Sequence, residues 1–148
     1  MDESAYRAVR GSVNPSPCVF EKALLAGCIG CTVAVRRALA EREAIACASP
    51  VARTNCATLL ALVRERSAFA LKLVRPDAAL PHAVTMKLQC GGLLGLQSAV
   101  TAGPADVHAL VAAAQHRFGT LVDLPWPEIV AAVAAWQGRR RHRQDDRR

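Results

Sequence analysis

Aromatic residues are scarce: the 148-residue chain holds two Trp, one Tyr and three Phe. Its core must therefore be filled by Ala, Leu and Val. The aromatic stacking platforms that hold single-stranded nucleic acid are excluded on the same count. Six cysteines in 148 residues fall short of the roughly 8–10% that marks a disulfide-built scaffold. The one stretch that imitates a membrane or signal segment, Ala23 to Val35, is thirteen uncharged residues, and a membrane-spanning helix needs about 20. Residues 1–5, Met-Asp-Glu-Ser-Ala, lack the basic start of a secretory signal. Ala38-Leu39-Ala40 imitates a cleavage site, but Arg36 and Arg37 separate it from the apolar run. A cytoplasmic protein without a membrane span is expected, its cysteines being thiols, metal ligands or redox groups rather than permanent disulfides. Neither G-x-S-x-G, H-E-x-x-H nor a phosphate-binding glycine loop occurs, so no catalytic residue is nominated.

What charge there is sits unevenly. Of the net +7, +4 falls in residues 139–148, which hold six Arg and two Asp. The body is nearly neutral. Such a tail suits a solvated extension or an acidic partner. No groove-reading element stands beside it, so a protein partner is expected and a sequence-specific nucleic-acid ligand is not.

Helix signals dominate the rest. Alanine, the best helix former, supplies 29 residues, and no segment alternates with period two over a useful length. Ser16-Pro17 and Ser49-Pro50 each read as an N-cap followed by proline at the first helical position. Helices are predicted over about 17–26, 32–48, 50–74, 81–102, 105–118 and 127–136. In the second, Arg36, Arg37, Glu41, Arg42 and Glu43 read as a solvated helical face. The predicted architecture is all-α: a single-domain antiparallel bundle of five or six helices over 17–138. An irregular arm (1–16) precedes it and a basic disordered tail (139–148) follows.

The cysteines are Cys18, Cys28, Cys31, Cys47, Cys56 and Cys90. Cys28 and Cys31 form a C-x2-C pair flanked by glycines, a spacing that lets two thiolates share one metal. Were 31–47 one helix, Cys31 and Cys47 would lie roughly 24 Å apart and could not share a small site. In an antiparallel bundle, Cys18, Cys56 and Cys90 fall in one layer. The expectation is a mid-bundle iron–sulfur cluster, or alternatively zinc, on these three. Glu41, Cys47 or an outside group would supply the fourth ligand. His82, near the height of Cys28 and Cys31, offers a Cys2His site completed by His116 or Asp77. A dithiol role for Cys28 and Cys31 is a further reading, though C-x2-C redox motifs follow a strand and none is predicted there. Cysteine also packs as a small hydrophobe.

In Gln89-Cys90-Gly91-Gly92-Leu93-Leu94-Gly95, each glycine costs a helix about 1 kcal/mol relative to Ala. Either another helix comes close, or a cluster rests against Cys90, with Gly91 and Gly92 giving it access. Glu21 and Lys22 in the first helix read as a solvated face or a buried pair.

Three segments, Pro-Ser-Pro-Cys-Val-Phe-Glu-Lys at 15–22, Leu-Ala-Glu-Arg-Glu-Ala at 39–44 and Gln-Cys-Gly-Gly-Leu at 89–93, resemble parts of a family of small uncharacterised cysteine-containing proteobacterial proteins. The resemblance spans about 15–97 and implies no activity. It favours a bacterial origin and the cysteines as a functional set, and the excess of Arg over Lys, 16 to 3, suits a GC-rich bacterial genome. Together these readings lead to a metal-binding helical protein with an electron-transfer, redox-sensing or metalloenzyme-accessory role. The alternative is a metal-free helical interaction module docking a protein or nucleic acid through apolar faces and the Arg-rich tail.

Overall fold

A computed structural model of the chain describes residues 14–75, 78–101, 103 and 105–138, the side chain of Leu39 excepted. Residues 1–13 of the expected arm, the tail at 139–148, and Asp77 lie outside the described residues.

The order of elements is α1 (Glu21–Leu25), β1 (Ala34–Leu39), β2 (Arg42–Cys47), α2 (Pro50–Ser67), α3, α4 (Val107–Phe118) and α5 (Trp126–Ala135). Helix α3 runs as His82–Met86 and Gly92–Ala99, joined by a π-helical turn at Lys87–Gly91. The all-α bundle is therefore overturned: helices are joined by a two-stranded antiparallel sheet.

The correction falls on the helix expected over 32–48. These residues form a hairpin in which Leu39 pairs with Arg42 and Ala34 with Cys47. The turn is Ala40-Glu41, with Ala40 at φ 56°. An alanine there is strained by about 1–2 kcal/mol, and the Asn-Gly or Asp-Gly pair that advertises such turns is missing. Arg36 and Glu43 do meet, at 3.3 Å, but diagonally across the strands. On a helix their separation of seven residues would be about 10.5 Å. Burial of Ala44, Ile45 and Ala46 holds β2 to the core.

The predicted start of the first helix is also an extended segment. Pro17 makes an antiparallel bridge with Ala46, the Cys18 N–H donates to Ile45 O at 2.8 Å, and the Cys47 N–H donates to Ser16 O at 2.9 Å. This strip covers the outer edge of β2, which an unpaired strand would leave open. The Asn14 side chain, buried, adds a bond to Ile45 O.

Ser49 does cap α2, its hydroxyl accepting the Ala52 N–H at 3.1 Å. Asp106 caps α4 in the same way through Ala109. One core unites all layers. Phe20, Ile45, Leu59, Leu93, Leu96, Leu110 and Ile129 are its largest fully buried side chains. Helix α3 runs through the middle, and its glycines set how near α5 comes. A Cβ on Gly95 would stand 2.8 Å from the Ala132 Cβ.

Candidate functional site

The sulfurs form two groups on opposite sides of the 28–31 segment. The first is a disulfide between Cys28 and Cys90, 62 residues apart, with Cα atoms separated by 6.0 Å. Local structure aims Cys28. Gly27, at φ 77°, ends α1. Its N–H bonds to Leu24 O, and the Cys28 N–H bonds to Ala23 O. This is a Schellman turn, which needs the left-handed conformation that glycine adopts freely. It turns the chain so that Cys28 faces α3. On the other side Cys90 is fully buried in the π-helical turn. Such turns insert an extra residue and re-aim side chains. The neighbouring Gln89 locks the two together by accepting the Ala23 N–H through Oε1 at 3.0 Å.

Cys28 is half-buried. It lies in the wall of a groove of about 730 Å³ with His82, Met86, Lys87 and Trp136. Among the described residues no Asp or Glu lines this groove. Lys22 Nζ donates to His82 Nδ1 at 3.4 Å. Lys87 Nζ donates to the carbonyls of Ala134 and Trp136 at 3.1 and 2.7 Å, closing the C-terminal end of α5. The groove is thus apolar with a cationic rim.

The second group is free: Cys18, Cys31, Cys47 and Cys56. All four line one cavity of about 20 Å³, closed by apolar neighbours such as Phe20 and Val107. That is space for about one water molecule. Cys47 donates its S–H to Ser49 O at 3.2 Å. Burial pushes the Cys56 thiol up to about 12, with the charges of Cys18, Cys31 and Cys47 adding to it. Burial also pushes Cys18 up to about 11. The Phe20 backbone N–H opposes this, while Cys31, Cys47 and Glu21 reinforce it.

These shifts carry a sign that can be checked. Well below the ordinary value of 9.0 both thiols are protonated whether the chain is folded or not. Above the ordinary value of 9.0 the unfolded chain releases these protons, and the folded chain keeps them until about 11 at Cys18 and 12 at Cys56. Stability is therefore lost as pH rises from 9 through this window. Urea unfolding from pH 9 to 10.5 is expected to show a steeper alkaline loss in the native chain than in Cys18→Ala/Cys56→Ala, by up to two protons. Equal slopes would remove the burial argument.

The metal expectations are overturned. Among the described residues, no group of three or more His, Cys, Asp and Glu side chains is arranged to hold a metal ion. Cys28 and Cys90 are bonded to each other and cannot serve as thiolate ligands in this state. Neither the iron–sulfur cluster nor the zinc alternative stands. The layer of Cys18, Cys56 and Cys90 relied on a helix at 32–48 that is a hairpin. Cys18 and Cys56 do come together, but with Cys31 and Cys47, and Cys90 goes to the other group. Glu41 is exposed at the hairpin turn. His82 lines the groove and His116 is exposed on α4. Gly91 and Gly92 pack against α5 and against Val63 of α2. Glu21 is no solvated residue: its carboxylate accepts the Ile45 N–H at 2.7 Å.

The Cys28–Cys90 pairing was missed because spacing never specifies which cysteines meet. Glycine beside a cysteine does not single the pair out, since Gly30 adjoins the free Cys31 as Gly27 adjoins Cys28. No protein-family model, curated protein or solved structure matches the chain. Among the described residues, no helix is long and apolar enough to cross a membrane.

Proposed function

We propose that the protein is a thiol–disulfide exchange protein whose working pair is Cys28–Cys90. One observation carries this reading: the pair joins a half-buried sulfur on a groove to a fully buried one. An incoming thiolate has access to Cys28 alone. Its attack forms a bond to Cys28 Sγ and breaks the Cys28–Cys90 bond. The electron pair leaves on Cys90 Sγ, which takes a proton. A second thiol of the substrate then attacks its own sulfur in the mixed disulfide and frees Cys28 as thiolate. The substrate dithiol becomes a disulfide, and the Cys28–Cys90 pair holds the two electrons. Lys22 and Lys87 place positive charge around this groove, which favours thiolates over thiols.

The substrate we infer is a protein or peptide dithiol, since the groove is mostly apolar and open at the surface. We also place the protein in the cytoplasm. There a disulfide is typically transient and catalytic rather than structural.

The test uses the folded, oxidised chain. It is treated with a small thiol, quenched in acid, alkylated and weighed. Reduction of Cys28–Cys90 without denaturant is expected. In Cys90→Ala/Cys31→Ser, where Cys28 is a free thiol, a small disulfide given in place of the thiol is expected to leave a mixed disulfide that stays on Cys28 while its other half departs as thiol. A pair that yields only after unfolding, or a Cys28 that takes up no mixed disulfide, overturns the reading.

A further inference from the structure

Four free thiols around one cavity have no part in exchange at the groove. The chain joins them to it directly, because Cys31 follows Cys28 by three residues, a reach of at most about 11 Å. Cys28 opens on the groove and Cys31 on the cavity. Between them Ile29 is buried in the core, while Gly30 is exposed and a Cβ there would meet nothing within 4 Å. The segment is held from below by the Val107 N–H on Gly30 O at 2.8 Å and by Asp106 on Thr32.

We propose that Cys31 is a second resolving cysteine that moves the disulfide from the groove into the cavity, where it ends as Cys18–Cys31. This rests on the exchange reading of Cys28. Two steps suffice, and neither needs an outside oxidant. Cys31 thiolate attacks Cys28 Sγ, the Cys28–Cys90 bond breaks, and Cys90 leaves and is protonated. Cys18 then attacks Cys31 Sγ through its minor thiolate fraction, and Cys28 leaves and takes up the proton. The chain goes from one internal disulfide to another, with the same number of electrons. Its groove pair is then reduced while the oxidised pair is sheltered among Phe20, Leu24 and Val107. The groove becomes free to take a second oxidising equivalent.

Cys18 is the partner chosen for Cys31 on geometric grounds. Both line the same cavity. Cys47 has its S–H engaged with Ser49, and Cys56 is fixed in the backbone of α2, whereas Cys18 precedes α1 in an extended segment.

The experiment starts from full-length Cys90→Ala labelled at Cys28 with the aromatic disulfide DTNB, which leaves thionitrobenzoate on the sulfur. The expected result is release of that second thionitrobenzoate, read by its absorbance, and a Cys18–Cys31 disulfide in the acid-quenched peptide map. Cys31→Ser in the same background is expected to retain the label. As a check that needs no label, the oxidised native chain kept anaerobically at mildly alkaline pH should acquire the Cys18–Cys31 pairing. A label that forms on Cys28 and stays there overturns the relay and leaves the exchange reading intact. Failure of Cys28 to take label overturns the exchange reading. A map that pairs Cys31 with Cys47 or Cys56 overturns the assignment of Cys18.

Discussion

Gly91→Ala is expected to destabilise the protein by about 2 kcal/mol, although alanine is the better helix former by about 1 kcal/mol. The new Cβ would stand 2.8 Å from Val133 Cα, 3.0 Å from Trp136 Cβ and 3.2 Å from Ala132 O. Two of these are backbone atoms and cannot swing aside. Helix α5 would have to move off α3, loosening Leu93, Leu96, Ile129 and Val133, all fully buried. Overpacking of this kind costs about 1–3 kcal/mol, and the upper end applies where backbone blocks relaxation. A loss of 2 kcal/mol lowers Tm by roughly 4–8 °C in a chain of this size. Gly92→Ala is the control. Its Cβ would meet Val63 Cγ1 at 3.0 Å, a side-chain atom on α2, so a smaller loss is expected. Urea unfolding of both variants decides the matter. A Gly91→Ala protein as stable as the native chain would mean that the α3–α5 contact is looser than these distances state.

Asp106→Ala should lower stability by about 2 kcal/mol, through a lost N-cap of about 1 kcal/mol and lost bonds to Thr32. Asp106 Oδ2 accepts the Ala109 N–H at 2.9 Å and the Thr32 hydroxyl at 3.3 Å, and Oδ1 accepts the Thr32 N–H. One carboxylate thus starts α4 and ties down the residue after Cys31. A second consequence follows: Cys31 should alkylate faster in Asp106→Ala, because, of the bonds that tie this segment to the start of α4, only the Val107–Gly30 backbone bond then remains. Asp106→Asn keeps an oxygen for the cap and should recover part of both effects. The checks are urea unfolding and the iodoacetamide rate at Cys31, read by peptide mass. An unchanged rate at Cys31 would show that the backbone bridge suffices to hold the segment.

Several features of this fold were legible in the chain. Ser49-Pro50 marks the start of α2, and the Ser49 hydroxyl does what that pair implies. Pro81 stands immediately before the first residue of α3. Glycines at 91, 92 and 95 announce a close approach, and α5 and α2 are what approach. Other features were hidden. The Ala40-Glu41 turn holds a non-glycine residue at positive φ, so it lacks the chemistry by which hairpins are recognised. Arg36 and Arg37, and Arg42 and Glu43, are neighbours that fall on both faces of the hairpin, so they show no strand alternation and read equally as the solvated face of a helix.

The cysteines divide the same way. That they would serve chemistry or packing in an Ala- and Leu-rich core follows from composition. Which of them meet does not. Cys28 and Cys90 are brought together by a glycine-capped turn, a π-helical turn and the Gln89 bond between them. Cys18, Cys31, Cys47 and Cys56 come from four separate segments, and their meeting depends on the 34–47 region being a hairpin rather than a helix. Local propensity and spacing determined where α2 and α3 begin and where glycine must stand, because those are decided within a few residues. Long-range burial decided the hairpin and both sulfur groups. Pairing across 62 residues is set by which apolar surfaces exclude water together, and that is a property of the whole chain.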